Sequence, residues 1–194
     1  MPRNALQVIR DEHAAVAAVL RSLQRMIERG PAEGEPERYF DVLRAMLFYI
    51  DEFPERRHHP KESDLLFPKV ARAAPALMPV IERLEKDHLQ GEYRVRKLQH
   101  LLLAWELLGE SRRAEFVQAA QDYIEFYLAH MRLEETELLP VAQQHLEEAD
   151  WAQLNAAFSH HVDPFAHGPH DPAYDRLFTR ILMRAPAPIG VGPA

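Results

Sequence analysis

Four long segments of this 194-residue chain carry apolar residues at alternating steps of three and four. In the first segment the series is Leu6, Ile9, His13, Val16, Leu20, Leu23 and Ile27. Such a series marks one face of a helix that packs against other helices. The segments span residues 4–29, 36–68, 79–108 and 111–145 and have fairly short connections. The sequence therefore predicts an all-α fold, an up-down four-helix bundle.

Each of the four predicted helices directs one histidine at the bundle axis, and two of them add a glutamate four residues later, one turn along the same face. A lone buried histidine is usually a hydrogen-bonded core residue, and H-x-x-x-E by itself is commonly a solvated pair. Together, however, six such groups in an apolar interior would cost roughly 1–3 kcal/mol for each unpaired polar group. The residues are His13, His58, Glu62, His88, His130 and Glu134.

Two metal ions would remove this cost, if each ion took two histidines and the two glutamates bridged both ions. Nitrogen and carboxylate ligands without thiolate favour iron or manganese, with zinc as a substitute in vitro. The first H-x-x-x-E copy is harder to place than the second. Pro54 and Pro60 predict a kink beside His58 and Glu62, since proline removes a backbone donor.

At these six positions the chain resembles the hemerythrin-like HHE cation-binding family of bacterial type, whose pattern is H…HxxxE…H…HxxxE. The resemblance covers about residues 5–145 and includes Leu66-Phe67-Pro68. It implies a four-helix bundle holding two iron ions in a carboxylate-bridged, non-haem centre with those six residues as ligands. The chain departs from the oxygen-carrying members, because Glu92 stands where they have a second histidine on the third helix and H-x-x-x-E replaces their H-x-x-x-x-D.

Those departures argue against simple reversible oxygen carriage. The resemblance then implies a metal-binding protein that binds or senses O2 or NO, or handles iron. A di-iron enzyme acting on peroxide or O2 is one alternative, and iron storage, delivery or iron-centre repair is another. The expected partner is a small diatomic ligand or peroxide. No catalytic residue and no protein partner is assigned.

Composition narrows the alternatives further. A formal net charge of −7 argues against nucleic acid as a partner. The chain has no cysteine, which excludes disulfides, zinc–thiolate sites and iron–sulfur clusters. No apolar run approaches the roughly 18–20 residues that cross a bilayer. Without an apolar leader segment either, a cytoplasmic protein is expected.

The remaining expectations concern the C-terminal part and the residues around the site. Residues 1–148 are expected to form the bundle, and residues 149–194 a short helix at 150–161, a loop and an extended tail that pack on it. Gly91, one turn beyond His88, fits either close helix packing or space for a small ligand. Glu92 and Glu137 are left open as partners of imidazole N–H groups, and Tyr123 and Tyr127 are expected to be core aromatics. Six further histidines are expected at the surface, and a second, adventitious metal site is the alternative for all of them but His59. They are His59, His145, His160, His161, His167 and His170.

Overall fold

The computed structural model describes residues 4–31, 36–159, 165 and 172–192. Within these residues the chain is built from six helices and short turns, which confirms the predicted all-α fold. None of these helices is both long and apolar enough to span a bilayer. The helices are α1 (Ala5–Arg29), α2 (36–73), α3 (Met78–Leu108), α4 (113–145), α5 (Glu148–Ser159) and α6 (Asp175–Arg184).

The first four helices alternate in direction, as the two apolar clusters of the core show. Helix α1 passes from one cluster, at Leu6 and Ile9, to the other, at Leu20 and Leu23. Helix α3 runs the same way, whereas α2 and α4 pass from the second cluster back to the first. The predicted histidines and glutamates lie between the two clusters on every helix. Apolar layers on both sides therefore separate this polar layer from the ends of the bundle.

Prolines widen α2 and α4 locally without breaking them. In three places the residue before a proline donates its N–H to the carbonyl five residues back: His59 to Pro54, Phe67 to Glu62, and Leu139 to Glu134. The extra residue in each π-type turn makes room for a ring that would clash with an ordinary helical turn. The kink predicted around His58 is thus a widened stretch, Asp51–His58, in a continuous helix.

The C-terminal part packs on the bundle through two helices. Helix α5 contributes Leu154 and Phe158 to the first apolar cluster, and Asn155 Oδ1 accepts a 2.7 Å hydrogen bond from the Ala5 N–H. Helix α6, which the sequence reasoning did not predict, packs Phe178 and Ile181 against α2. Four of the histidines expected at the surface, His160, His161, His167 and His170, lie outside the described residues.

The segment after α6 is tied to α1. The Ser22 hydroxyl donates to the Pro186 carbonyl at 2.8 Å and accepts from the Ile189 N–H at 3.1 Å. Ser22 and Ala185 are both fully buried. The expected extended tail therefore has ordered contacts with the bundle at residues 185–189.

Candidate metal centre

The structure brings all six predicted residues together in the polar layer between the apolar clusters. Together with His59 they fall into two groups, and within each group the potential ligand atoms lie within 4.8 Å of one another. Every member is buried, and Glu62 and Glu134 have no exposed surface at all. The first group is His13, His58, Glu62 and Glu134, and the second is His59, Glu62, His88 and His130.

Glu62 links the two groups, since its two oxygens face histidines of different groups. Its Oε1 lies 2.7 Å from His58 Nε2, and its Oε2 lies 3.4 Å from His88 Nε2. Glu134 Oε2 is 3.3 Å from His13 Nε2. Adjacent ligands of an ion bound at about 2.1 Å lie roughly 3 Å apart, so these separations suit atoms that share an ion. Both glutamates were expected to bridge, but only Glu62 belongs to both groups.

The buried atoms without hydrogen-bond partners concentrate in this layer. Within the described residues they comprise both carboxylate oxygens of Glu62 and of Glu134, both ring nitrogens of His130, and Nε2 of His58 and of His88. Asp51 Oδ1 is the only such atom elsewhere. His58 Nε2 and Glu62 Oε1 lie 2.7 Å apart as an ion pair, but they do not form a hydrogen bond. Buried polar atoms are otherwise almost always paired. Their clustering therefore indicates a site built to hold a cation.

Two histidines of the first group are oriented by carboxylates on their other nitrogen. His13 Nδ1 lies 2.9 Å from Glu135 Oε1, and His58 Nδ1 lies 2.6 Å from Glu12 Oε2. An imidazole that donates one N–H to a carboxylate presents its other nitrogen, Nε2, as a lone-pair donor. The sequence reasoning assigned neither carboxylate, although Glu12 precedes His13 and Glu135 follows Glu134 in the chain.

The histidines of the second group are supported from α2 and α3. His88 Nδ1 lies 3.0 Å from Ser63 Oγ, and that hydroxyl donates to Glu85 Oε2 at 2.9 Å. His130 Nδ1 faces Asp87 Oδ2 at 3.9 Å, which is too long for a direct hydrogen bond. Arg83 fixes Asp87 through a 2.9 Å bond from its Nε.

Glu92 and Glu137, which the sequence left open as partners of imidazole N–H groups, lie in other surroundings. Glu92 forms an ion pair with Arg96 on the same helix, and its side chain is 44% exposed. Glu137 is exposed. The carboxylates that approach the imidazoles are thus different ones from those weighed in the sequence.

His59 is buried, so the expectation that it faces solvent is wrong. Its Nδ1 lies 3.0 Å from Glu55 Oε2, and its Nε2 lies 2.8 Å from the Tyr127 hydroxyl. Its ring is stacked on that of His88, with centroids 3.9 Å apart and planes 10° apart. Imidazole lone pairs lie in the ring plane, so parallel stacked rings do not converge on one ion. Both ring nitrogens of His59 have partners, whereas His88 Nε2 has none, so His88 is favoured over His59 as a ligand.

Glu55 completes a buried chain of polar side chains beside the second group. The Tyr123 hydroxyl donates to Glu55 Oε1 at 3.1 Å, while Oε2 faces His59. Gly91 makes room for this carboxyl, because a Cβ atom there would lie 2.8 Å from Glu55 Oε1. The space beside Gly91 is therefore filled by Glu55 and not left for a ligand. Tyr123 and Tyr127 are core aromatics as expected, but their hydroxyls bind this chain.

The electrostatics of the layer follow from packing acids and imidazoles together. Burial alone lowers the pKa of His13, but the neighbouring Glu134 carboxylate outweighs it and raises this pKa to about 9. The pKa of His58 is also raised well above its usual value, since Glu62 and Glu12 outweigh its burial. Burial and repulsion from Glu62 raise the pKa of Glu134 to about 7. Protons on His13 and His58 thus balance carboxylate charge that a metal ion would otherwise balance.

The surroundings of Glu55 and of His59 favour the uncharged form of each side chain. Burial is the main reason that the pKa of Glu55 is raised to about 8, despite the hydrogen bond from Tyr123. The pKa of His59 is lowered well below its usual value by burial and by the neighbouring His88.

Comparison with known proteins agrees with this geometry. A search of curated proteins returned no match to the chain. The family model for the hemerythrin HHE cation-binding domain matches residues 4–142, which contain α1 to α3, nearly all of α4 and every residue of the polar layer. The chain therefore belongs to the hemerythrin HHE cation-binding domain family.

Proposed function

We propose that this protein binds a pair of iron ions in the polar layer and uses the pair to bind or sense O2 or NO. One ion would be held by His13, His58 and Glu134 and the other by His88 and His130, with Glu62 shared between them. The observation that carries the proposal is the set of unpaired buried atoms, which belong almost entirely to these residues. Leaving them unpaired would cost several kcal/mol in total, at roughly 1–3 kcal/mol for each group.

The donor set supports iron as the metal. Four imidazoles and two carboxylates suit iron or manganese, and zinc could replace them in vitro. The two glutamates would supply two negative charges, whereas two iron ions carry four or more positive charges. Exogenous anions or water would therefore complete the coordination shell. A bound iron pair supplies redox chemistry and open coordination positions for a small ligand.

A recess beside the first group supports a small ligand. Its lining includes His13 and His58 of the first group, together with the buried side chains Val16, Phe53 and Tyr127. It has space for about one water-sized molecule. A recess of this size suits only a very small ligand, whereas an iron-storage protein needs room for many ions. Storage is therefore the weakest of the alternatives.

The chain's own residues would hold and tune the centre. Glu12, Glu135 and Ser63 fix the imidazole rings, so that each ring presents one nitrogen inward. The two apolar clusters exclude bulk water from the layer, which strengthens the electrostatic interactions inside it. The Glu55–His59–Tyr127 chain keeps the stacked face of His88 in position.

The metal part of the proposal is tested by the iron content of protein produced with ample iron. We expect about two iron ions per chain. Glu134→Ala should lower this content, whereas Glu137→Ala, which removes an exposed glutamate of the same helix, should leave it unchanged. Equal iron content in all three proteins would refute Glu134 as a ligand.

The ligand part is tested by mixing the reduced, iron-loaded protein with O2, NO or peroxide under anaerobic stopped-flow conditions. A stable spectrum that reverses when the gas is removed supports binding or sensing. Rapid, one-way oxidation with multiple turnovers of peroxide would instead support the di-iron enzyme.

A further inference from the structure

A basic groove runs between α1 and α4 on the outer side of the metal centre. On α1 the face is formed by Arg10, Ala14, Ala17 and Arg21, whose spacing of four, three and four keeps them in one stripe. The two alanines leave a depression between the two arginines. Arg132 faces them from α4.

The three arginines have little other use inside the described part of the chain. Within it, Arg10, Arg21 and Arg132 are exposed and make no ion pair or side-chain hydrogen bond. The pKa of Glu135 is lowered mainly by His13 and to a smaller extent by Arg10, so Arg10 has this one acidic neighbour. Most of the other exposed charges on these helices are acidic, in a chain with a formal net charge of −7. Three cations kept together on an acidic protein indicate a surface that attracts negative charge.

The dimensions of the groove favour one kind of occupant. Arg10 and Arg21 lie eleven residues apart on a continuous helix, which corresponds to about 16 Å. This length suits an extended ligand with two negative groups better than a single small anion. The floor between them is apolar, with Ala14, Leu128 and Met131. A concave floor also suits a ridge of protein better than a flat lipid surface.

We infer that this groove is a docking surface for an acidic, amphipathic segment of a partner protein, with carboxylates at both ends and apolar residues between them. His13 and Glu135 line the same groove, and Glu135 is the only carboxylate among its described lining residues. A bound partner would thus cover the edge of the metal centre at His13. The surface itself depends on the arginines and exists whether or not metal is bound.

The test uses a helical peptide with glutamates eleven positions apart on one face and alanine and leucine between them. Its binding to the full, 15N-labelled chain is followed by backbone amide shifts at low salt. We expect shifts confined to the facing stretches of α1 and α4. The triple variant Arg10→Glu, Arg21→Glu, Arg132→Glu should weaken binding by about tenfold or more, because three exposed ion pairs are lost.

A charge-matched control separates a specific groove from general attraction. Lys97→Glu, Arg112→Glu and Arg176→Glu change the net charge by the same amount at exposed positions elsewhere. This control should weaken binding less than twofold to threefold, within the range of a screened long-range effect. Equal weakening in both triple variants would overturn the inference.

Two further probes test other occupants. Inorganic phosphate that shifts the same amides and displaces the peptide at equal concentration would show a small-anion site and overturn the inference. Vesicles of phosphatidylglycerol that bind the wild type, but not the groove variant, more tightly than the peptide would show a lipid surface and also overturn it. Iron content measured on both variants keeps this result separate from the metal proposal, since docking can fail while the iron pair is retained.

Discussion

Gly91→Ala tests whether the buried carboxyl of Glu55 is rigidly held beside the metal centre. In most helices this change stabilises the fold by about 1 kcal/mol, because glycine is a poor helix former. Here the new Cβ atom would lie 2.8 Å from Oε1 and 3.1 Å from Oε2 of Glu55. The Glu55 side chain is 1% exposed and is bound by both Tyr123 and His59, so it has no free direction in which to move.

The expected magnitude follows from the contacts that the methyl group displaces. The pKa of Glu55 is raised to about 8, so the carboxyl is largely neutral at pH 7. Each of its two hydrogen bonds is then worth about 0.5–1.5 kcal/mol, and the groups left unpaired cost more. After subtracting the gain of about 1 kcal/mol from alanine, we expect Gly91→Ala to destabilise the metal-free protein by about 1–2 kcal/mol.

Urea denaturation of the metal-free protein measures this change, and a second background supplies the control. In Glu55→Ala the carboxyl is gone, so Gly91→Ala should there stabilise the fold by up to about 1 kcal/mol. The reversal of sign between the two backgrounds is the specific expectation. Stabilisation by about 1 kcal/mol in the wild-type background would refute the close approach of Glu55 to Gly91.

Four further predictions concern the histidines and the groups that support them. The pKa of His13 is raised from 6.5 to about 9 in the fold, so its stabilising effect on the metal-free protein is complete below pH 6.5 and is lost as pH rises to about 9. Urea midpoints that are flat over this range would contradict it. Iron affinity should rise over the same range, because iron requires neutral imidazole, and competition with a chelator measures this. Ser63→Ala removes the hydroxyl that supports His88 and should weaken iron affinity by about 10–100-fold, whereas unchanged affinity would exclude that support. His59→Gln should keep both iron ions, and loss of one would identify His59 as a ligand.

The sequence was sufficient to predict the four bundle helices and the meeting of six polar residues between them, because both depend on helical periodicity. His13 occupies a slot in an apolar series, and His130 and Glu134 are one turn apart on one face. Such spacings determine which face a residue occupies, whatever the details of packing. The alternation of cluster, polar layer and cluster along each helix follows from the same pattern.

What the sequence could not predict depends on distances between helices or on local widening of a helix. His59 follows His58, and an ordinary helix turns consecutive residues about 100° apart, which suggested that it would face solvent. It lies instead at the end of the π-type stretch before Pro60 and is buried against α3 and α4. The roles of Glu12 and Ser63 likewise arise from contacts to histidines on other helices.

The sequence also could not predict that the two glutamates of the site have different surroundings. The two H-x-x-x-E copies are equivalent in sequence, so both glutamates were expected to bridge. In the structure Glu62 faces histidines of both groups, while Glu134 faces His13. Burial and repulsion from Glu62 raise the pKa of Glu134, whereas attraction to His58 and hydrogen bonds from the imidazoles outweigh burial and lower the pKa of Glu62.

The central claim is a pair of iron ions that share Glu62, and anomalous diffraction at the iron edge tests it most directly. Crystals of iron-loaded protein should show two anomalous peaks per chain, about 3.5–4 Å apart. One peak should lie beside His13 and His58, the other beside His88 and His130, with Glu62 between them. A single peak, or two peaks that do not both contact Glu62, would contradict the account.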